Sequence, residues 1–301
     1  MVFATDLGDP EGPVALPDGT WLVVEGTAER GCVTQISADG RTKRIIQKTG
    51  LPNGLAVDHD GVIWVAESKV PSLVRLTMEG KAEVVATECD GKPFLFPNDL
   101  CFGPDGALYL TDSGILVPDF CPGNQIRPDY MSLKYDGRVY RVDVETGKVT
   151  MVDDGILFTN GIAFGPDGLM YVNETITGNI YRYARENGSV TGPRILFGNV
   201  MRSDAPAGFK GPDGMAFSDD GRLYVTVFGQ HDIIVLGKAG EVVERIETAG
   251  KLPTNVAFAL PGNQRIAVTE YELGQVEIYD VPTDGLALWS GKKAHDLAVA
   301  P

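Results

Sequence analysis

The chain alternates short apolar runs with clusters of glycine, proline, aspartate and asparagine, and long helical periodicities are missing almost everywhere. Short runs rich in valine, isoleucine, leucine, tyrosine and threonine between such turn residues predict β-strands joined by tight hairpins. One unit recurs six times: a polar residue, an apolar run, a turn glycine and a second apolar run. The polar residues that open the six units are Glu11, Asn53, Asn98, Asn160, Asp213 and Asn255. The turn glycine follows eight positions later in five units and seven positions later, at Gly262, in the sixth.

A second hairpin follows in most units, so that each unit contains four strands. Examples of this second hairpin span residues 33–46, 73–86, 138–152 and 233–246. Four strands recurring roughly every 40 to 60 residues are typical of a β-propeller. We therefore predict an all-β fold: one six-bladed propeller domain over residues 1–301, with four-stranded antiparallel blades around a central channel. Either residues 2–5 or residues 286–289 are expected to complete the last blade.

Antiparallel topology also predicts which face of the propeller carries the chemistry. After two antiparallel strands the chain returns to the face from which it started. The polar residues that open the units and the acids that end the second strands are therefore expected at one face. Those acids are Glu25, Glu67, Asp112 and Glu174. The long connection 113–136 begins at the same face, where we expect it to roof the channel.

The residues that open the six units differ in type, and this difference indicates which of them form a functional site and which only form turns. An asparagine at the head of a strand often only bonds its own turn, and Asn53 and Asn255 are interpreted in this way. A turn does not require the carboxylates that replace asparagine at Glu11 and Asp213, whereas a bound cation does. Carboxylate and amide oxygens are hard ligands that favour Ca²⁺, Mg²⁺ or Mn²⁺. Two buried carboxylates without a cation would be costly or partly protonated.

Composition narrows the range of partners. The 301 residues carry a formal net charge of −15 and an isoelectric point of about 4.6, which makes a nucleic-acid backbone an unsuitable partner. No stretch approaches the length of an apolar membrane span, and residues 1–12 lack the pattern of a secretory signal. The four cysteines have no C-x-x-C spacing. We expect free thiols and a cytoplasmic location.

Four motifs resemble the SMP-30/gluconolactonase family of six-bladed propellers, which includes regucalcin-type lactonases, and the resemblance covers essentially the whole chain. The motifs are Glu11-Gly12-Pro13, Pro97-Asn98-Asp99, Thr159-Asn160-Gly161-Ile162-Ala163-Phe164 and Pro212-Asp213-Gly214-Met215. Their order of Glu, Asn, Asn and Asp is also similar to that of diisopropyl-fluorophosphatase, a related phosphotriesterase propeller.

The resemblance implies a metal site formed by Glu11, Asn98, Asn160 and Asp213. Asn98 would be the fourth ligand or would contact substrate beside the metal. Asp213 would also serve as the general base or as the nucleophile. Ca²⁺ is the first expectation for the ion, with Mg²⁺, Mn²⁺ or Zn²⁺ as alternatives.

One position departs from the family pattern. Sugar lactonases of the family place an arginine two residues before the third-blade asparagine, where this chain has Phe96. The departure favours a more apolar or aromatic ligand than a sugar lactone. The candidates for substrate contact are Asn98, Phe96, Asp112, Arg127 in the long connection, and His231 after the second strand of the fifth unit.

These features predict a divalent-metal-dependent hydrolase that opens a small-molecule lactone or cleaves an ester. The ion would polarise the carbonyl, and Asp213 would activate water or attack directly. The first alternative is phosphotriester hydrolysis at the same metal, and the second is a non-catalytic propeller that binds a partner through its face. A metal-free condensing enzyme similar to strictosidine synthase is a third, against which the carboxylate pair argues.

Overall fold

Six four-stranded antiparallel sheets form almost all of the secondary structure in the computed structural model, which describes residues 1–186 and 189–291. The inner strands of these sheets contact one another in chain order, and the sixth contacts the first. The six sheets therefore form a closed ring of blades around a central channel. The prediction of an all-β, six-bladed propeller is confirmed.

In each blade the chain proceeds outwards from the channel. Blade 1 comprises Pro10–Ala15, Trp21–Glu25, Cys32–Ile36 and Lys43–Lys48, and blade 2 comprises Pro52–Val57, Ile63–Glu67, Ser72–Leu76 and Ala82–Ala86. Blade 3 comprises Pro97–Phe102, Leu108–Asp112, Gly137–Val142 and Val149–Ile156, and blade 4 comprises Thr159–Phe164, Met170–Glu174, Asn179–Glu186 and Ser189–Asn199. Blade 5 comprises Gly211–Phe217, Leu223–Phe228, Asp232–Leu236 and Val242–Glu247. Blade 6 comprises Pro253–Phe258, Arg265–Glu270, Gln275–Asp280 and, from the start of the chain, Val2–Ala4.

The connections carry only short elements. These are a two-stranded ribbon (Glu88–Cys89 with Lys92–Pro93), a helix (Val117–Phe120) and two 3-10 turns (Pro122–Asn124 and Tyr130–Ser132). No helix within residues 1–186 and 189–291 has the length and apolar character needed to cross a membrane.

The ring is closed by the N-terminal strand, which decides between the two alternatives for the last blade. Val2–Ala4 pairs antiparallel with Gln275–Asp280. Residues 285–290, called the strap below, form no strand, although Gly285 makes an isolated antiparallel bridge with Ser218 beside blade 5. At one end the N–H of Leu286 donates to the carbonyl of Phe217 in blade 5, and at the other Ser290 accepts from the N–H of His59 in blade 2. Blades 5 and 2 are opposite in the ring, so the strap crosses the far opening of the channel.

Every inner strand has a β-bulge at its polar start. At each bulge the inner strand advances by three residues while the neighbouring strand advances by two. The inner-strand residues on either side of the bulge are Glu11 and Val14, Pro52 and Leu55, Pro97 and Leu100, Thr159 and Ile162, Pro212 and Met215, and Pro253 and Val256. Bulges re-aim side chains and are common beside active sites. The pairing also corrects the repeat alignment, because Thr254, not Asn255, occupies the position of Asn53 and Asn98. Asn255 stands one position further along.

Large aromatic side chains and interblade hydroxyl bonds hold the blades together. The second strands bury Trp21, Trp64, Tyr109, Tyr171 and Tyr224, each at most 6% exposed, as expected for rings that pack between sheets. The hydroxyls of Ser68, Ser113 and Thr175 each donate to a carbonyl at the start of the next inner strand, at 2.8, 2.9 and 2.8 Å. These bonds fix neighbouring bulges relative to one another.

Candidate metal centre and active site

Three carboxylates from alternate blades share the channel at the level of the bulges. Burial is the main cause that raises the pKa of Glu11 well above its usual value, and the negative charges of Asp213 and Asp99 raise it further. Burial and the charge of Asp99 raise the pKa of Asp213 in the same way, and burial raises the pKa of Asp99 to about 6. Within the described chain, none of the three has an ion-pair partner among lysine, arginine or histidine. The group lacks a compensating positive charge.

Two asparagine amides are held in the same way beside these carboxylates. The side-chain nitrogen of Asn160 donates to the hydroxyl of Thr175 at 3.2 Å, and its amide also bonds the Asp213 carboxylate. The side-chain nitrogen of Asn98 donates to the hydroxyl of Ser113 at 3.0 Å. Since the nitrogen of each amide is anchored, its carbonyl oxygen is free to act as a ligand.

A pair of side chains from opposite blades crosses the channel directly below. Asn255 Nδ2 lies 2.9 Å from Glu11 Oε2 and 3.5 Å from Asp99 Oδ2. Asp99 and Asn255 are held alike, because each accepts the N–H of the next residue, Leu100 or Val256, at 2.8 Å. This pair is called the floor below. The interpretation of Asn255 as a turn residue was therefore wrong: it is 7% exposed and bonds one of the central acids.

Glycine makes room for the floor at the same position in the other four blades. Those residues are Gly12, Gly54, Gly161 and Gly214. A Cβ on Gly54 would lie 2.6 Å from Asp99 Oδ1, and a Cβ on Gly214 would overlap the side-chain oxygen of Asn255. The position therefore holds two large polar side chains and four glycines. Sequence reasoning missed Asp99, although an aspartate in a slot otherwise held mainly by glycine was a signal.

The donor set suits a hard divalent cation. Within residues 1–186 and 189–291, no three Asp, Glu, His or Cys side chains form a metal cluster by themselves. A cation at Glu11 and Asp213 would therefore depend on the amide oxygens of Asn98 and Asn160 as well. Two carboxylates and two neutral oxygens, without sulfur or imidazole, are the ligand types that Ca²⁺ and Mg²⁺ prefer. The raised pKa values show that the site would gain from such a charge.

The acids at the ends of the second strands have a structural task instead. Asp112 is fully buried, and its carboxylate accepts the N–H groups of Leu95, Phe96 and Gly114 at 2.7, 3.0 and 2.8 Å. Glu67 and Glu174 accept the backbone N–H that leads into their own inner strands in the same manner. The acids thus tie down the loops that carry the site. Asp112, expected to contact substrate, holds the backbone of Phe96.

Six aromatic rings form a continuous arc over the face where the inner strands begin. In order along this aromatic roof the residues are Phe96, Phe158, Phe120, Phe209, Phe228 and Tyr271. Neighbouring ring centres lie 5.9, 4.8, 5.2, 5.8 and 6.0 Å apart. Phe158 has the same offset from Asn160 as Phe96 has from Asn98, and it adopts a left-handed φ of 65°, which is rare for a bulky residue. The roof therefore lies on the face where the inner strands begin, and Phe96 and Phe158 each precede Asn98 or Asn160 by two residues.

The long connection 113–136 contributes to the roof through its aromatic residues. Phe120 belongs to the arc, and the hydroxyl of Tyr130 donates to the carbonyl of Gly208 at 2.8 Å, which joins the two long loops. Arg127 bonds Asp129 in its own loop, and its side chain is 40% exposed. His231 adopts a left-handed φ of 69°, and its Nε2 lies 3.4 Å from the carbonyl of Ala249. Arg127 and His231 are thus held by loop residues, and these contacts do not place either of them beside Glu11, Asp99 or Asp213.

Comparison with known proteins agrees with this geometry. The family described as SMP-30/Gluconolactonase/LRE-like region matches residues 10–272. The chain belongs to this family. A family relative from Zymomonas mobilis, named gluconolactonase, is 28% identical over 280 residues, which cover 87% of this chain and 76% of the relative. Diisopropyl-fluorophosphatase of Loligo vulgaris is 28% identical over 303 residues, which cover 93% of this chain and 91% of the relative.

Solved structures share the fold. A calcium-binding protein, regucalcin, from Agrobacterium tumefaciens superposes with a TM-score of 0.78 at 20% identity over 97% of each chain. The gluconolactonase XC5397 from Xanthomonas campestris superposes with a TM-score of 0.75 at 22% identity over 95% of this chain and 89% of the other. The resemblance to the SMP-30/gluconolactonase family is confirmed, and its four motifs all lie at the bulges.

Proposed function

We propose that the protein is a divalent-metal-dependent hydrolase that opens lactones. One observation carries the proposal: the buried Glu11 and the half-buried Asp213 lie beside Asn98 and Asn160 with raised pKa values, and neither has a positively charged partner within residues 1–186 and 189–291. Family membership and relatives named gluconolactonase and lactonase support the same reaction class. Ca²⁺ is the ion we propose first, since a structural neighbour is described as calcium-binding.

The residues around the proposed ion have separable tasks. When bound, a divalent cation would supply Lewis-acid polarisation of the scissile carbonyl. Glu11 is held by the N–H of Gly12 and by Asn255 Nδ2, so its carboxylate has little freedom to move. The Asn160 amide orients Asp213, which stands ready to accept a proton from water or to attack the carbonyl carbon.

The aromatic roof argues for a substrate with an apolar or aromatic substituent. A sugar lactone presents hydroxyl groups around its ring, and each must find a partner when it is buried. Phe96 is half-buried and packs edge-on against the buried Phe158, with ring centres 5.9 Å apart. The side chains two residues before Asn98 and Asn160 therefore provide apolar carbon rather than hydrogen bonds. We therefore propose a lactone or ester with a hydrocarbon side group as substrate.

Phosphotriester hydrolysis is the second candidate, because the relative from Loligo vulgaris that spans 93% of this chain is named diisopropyl-fluorophosphatase. The test is a substrate panel containing alkyl- and aryl-substituted lactones, a polyhydroxylated lactone and an organophosphate, measured with and without a chelator. We expect chelator-sensitive turnover that is highest for the substituted lactones. Faster organophosphate turnover would favour the second candidate. No turnover combined with no metal in elemental analysis would revive the non-catalytic binding propeller.

A further inference from the structure

The channel continues below the floor as a separate cavity. It has a volume of about 290 Å³, and Asp99 and Asn255 lie at its upper end while the strap lies at its lower end. None of Glu11, Asn98, Asn160 and Asp213 belongs to its lining. The floor therefore divides the channel into the proposed active site above and this chamber below.

The chamber below the floor exists because the inner strands carry small side chains at one position of the repeat. Two residues after the floor position, the six inner strands carry Val14, Ala56, Cys101, Ala163, Ala216 and Ala257, and all six line the cavity. They are partly exposed because they face the open lumen, and in three of the six strands both flanking residues are buried. Larger side chains at this ring would fill the channel and remove the cavity.

The walls are mainly apolar and the upper end is polar. Rings and aliphatic groups of Phe102, Phe217, Leu286 and Trp289 line the lower part. A cavity of about 150 Å³ with such a lining already holds a benzene-sized molecule and excludes water. At the upper end, Asp99 accepts the N–H groups of Leu100, at 2.8 Å, and of Ile162, together with a long bond from Asn255. A carboxylate has about four acceptor sites, so Asp99 can accept a further donor.

Access is from the far face, past the strap. The strap is bound near its two ends, at Leu286 and Ser290. Between these points Leu288 and Trp289 are 80% and 40% exposed. The cavity is not fully enclosed, and we expect its entrance beside this segment, which spans the lower end between two fixed points.

We propose that the chamber below the floor binds a small apolar molecule that carries one hydrogen-bond donor at its end, such as a primary alcohol. The apolar body lies against the ring of small side chains, and the donor points up to Asp99. The site is distinct from the proposed active site and does not depend on hydrolysis. Its ligand enters from the opposite face of the propeller.

The test uses 1-heptanol as the probe and the full chain, with binding followed by calorimetry. We expect 1-heptanol to bind and 1,7-heptanediol to bind at least about tenfold more weakly, since its second hydroxyl would be buried without a partner. Ala216→Leu and, separately, Ala163→Leu fill the lumen and should each abolish binding. Ala38→Leu makes the same change at an exposed turn and should leave binding unchanged. Circular dichroism and melting temperature verify that each variant is folded.

Cys101 gives a second readout from inside the chamber. In a Cys121→Ser background, Cys101 is the remaining cysteine that is not buried. Burial raises the pKa of the Cys101 thiol, so an uncharged aromatic disulfide reagent should modify it slowly and faster at alkaline pH. At that pH, 1-heptanol at ten times its dissociation constant should slow the modification about tenfold. The proposal is overturned if 1-heptanol does not bind, if it binds without protecting Cys101, or if both filling variants bind it normally. None of these readouts measures hydrolysis, so failure here is distinct from failure of the proposed function.

Discussion

The two halves of the channel are built by the same six inner strands but have opposite chemistry. Above the bulges the strands present carboxylates and amides without a positive partner, and below them they present a ring of small apolar side chains. The lining changes from polar to apolar at the bulges, where Asp99 and Asn255 extend into the channel from opposite blades. A repeated scaffold can therefore carry two different sites when a single irregularity separates them. The variants below test whether the halves are in fact independent.

The largest effect is expected from Asp213→Asn. Loss of the carboxylate removes a proposed cation ligand and the base, so kcat/KM for the best lactone should fall by roughly 10²- to 10⁴-fold. The melting temperature and 1-heptanol binding should change little, because the change is confined to the upper half. Asp154→Asn removes an exposed carboxylate and should retain activity. An Asp213→Asn enzyme with full turnover would contradict the assigned role.

The raised pKa of Asp99 predicts how the free energy of unfolding depends on pH. Burial raises the pKa of Asp99 from 3.8 to about 6 in the folded protein. A carboxyl with a raised folded pKa favours folding when protonated, so this contribution is complete below about pH 4 and is lost as the pH rises through about 6. The loss amounts to about 1.4 kcal/mol per pH unit across that window. In chelator-treated protein, this group should make the free energy of unfolding fall between about pH 4 and about pH 6.

Two additions sharpen the pH experiment. Asp99→Asn should make the free energy of unfolding depend less steeply on pH, because the variant has no proton to lose at that position. Calcium should restore stability more at about pH 7.5 than at about pH 5, since protons compete with the ion for the carboxylates. An equal effect of calcium at both pH values would place its binding away from these acids.

Gly214→Ala tests the boundary between the halves. Its Cβ would overlap the Asn255 side chain, and overpacking of this kind costs about 1–3 kcal/mol of unfolding free energy. The same substitution in an Asn255→Ala background should cost clearly less, because the overlapping atoms are gone. Denaturant titration of the unmodified protein, the two single variants and the double variant gives the coupling energy between residues 214 and 255. Equal costs in both backgrounds would show that the glycine is not required by the floor.

The smallest effect is expected at the roof. Phe96→Arg should raise kcat/KM for a polyhydroxylated lactone relative to an alkyl-substituted one by about tenfold, because a guanidinium can bond the hydroxyls. Phe96→Leu keeps the apolar character and should leave the preference as it is. Unchanged selectivity in Phe96→Arg would remove the argument for an apolar substrate.

The sequence was sufficient for the fold and for the positions around the channel, because both depend on the repeat. Six turn glycines and six polar starts predicted six blades. The seven-position offset of Gly262 was the sign that Thr254, not Asn255, was the sixth equivalent residue. The floor was missed because it depends on a contact between blades 3 and 6, which are separated by more than 150 residues in the chain.

The roles of individual polar residues were harder to predict. Asp112 looked like a site residue because it ends a strand at the correct face. Only the structure shows that it accepts three backbone N–H groups. The aromatic roof joins loops from several blades, and irregular loops carry no periodic signal from which such contacts could be predicted.

The most direct test of the account is a calorimetric titration of chelator-treated protein with Ca²⁺. We predict that one ion binds per chain and that the double variant Glu11→Gln/Asp213→Asn weakens binding by about a hundredfold or more. Ala216→Leu, whose side chain lies below the floor, should bind the ion as the unmodified protein does. If the unmodified protein binds no calcium, or if the double variant binds it equally well, the upper half of the channel is not the cation site.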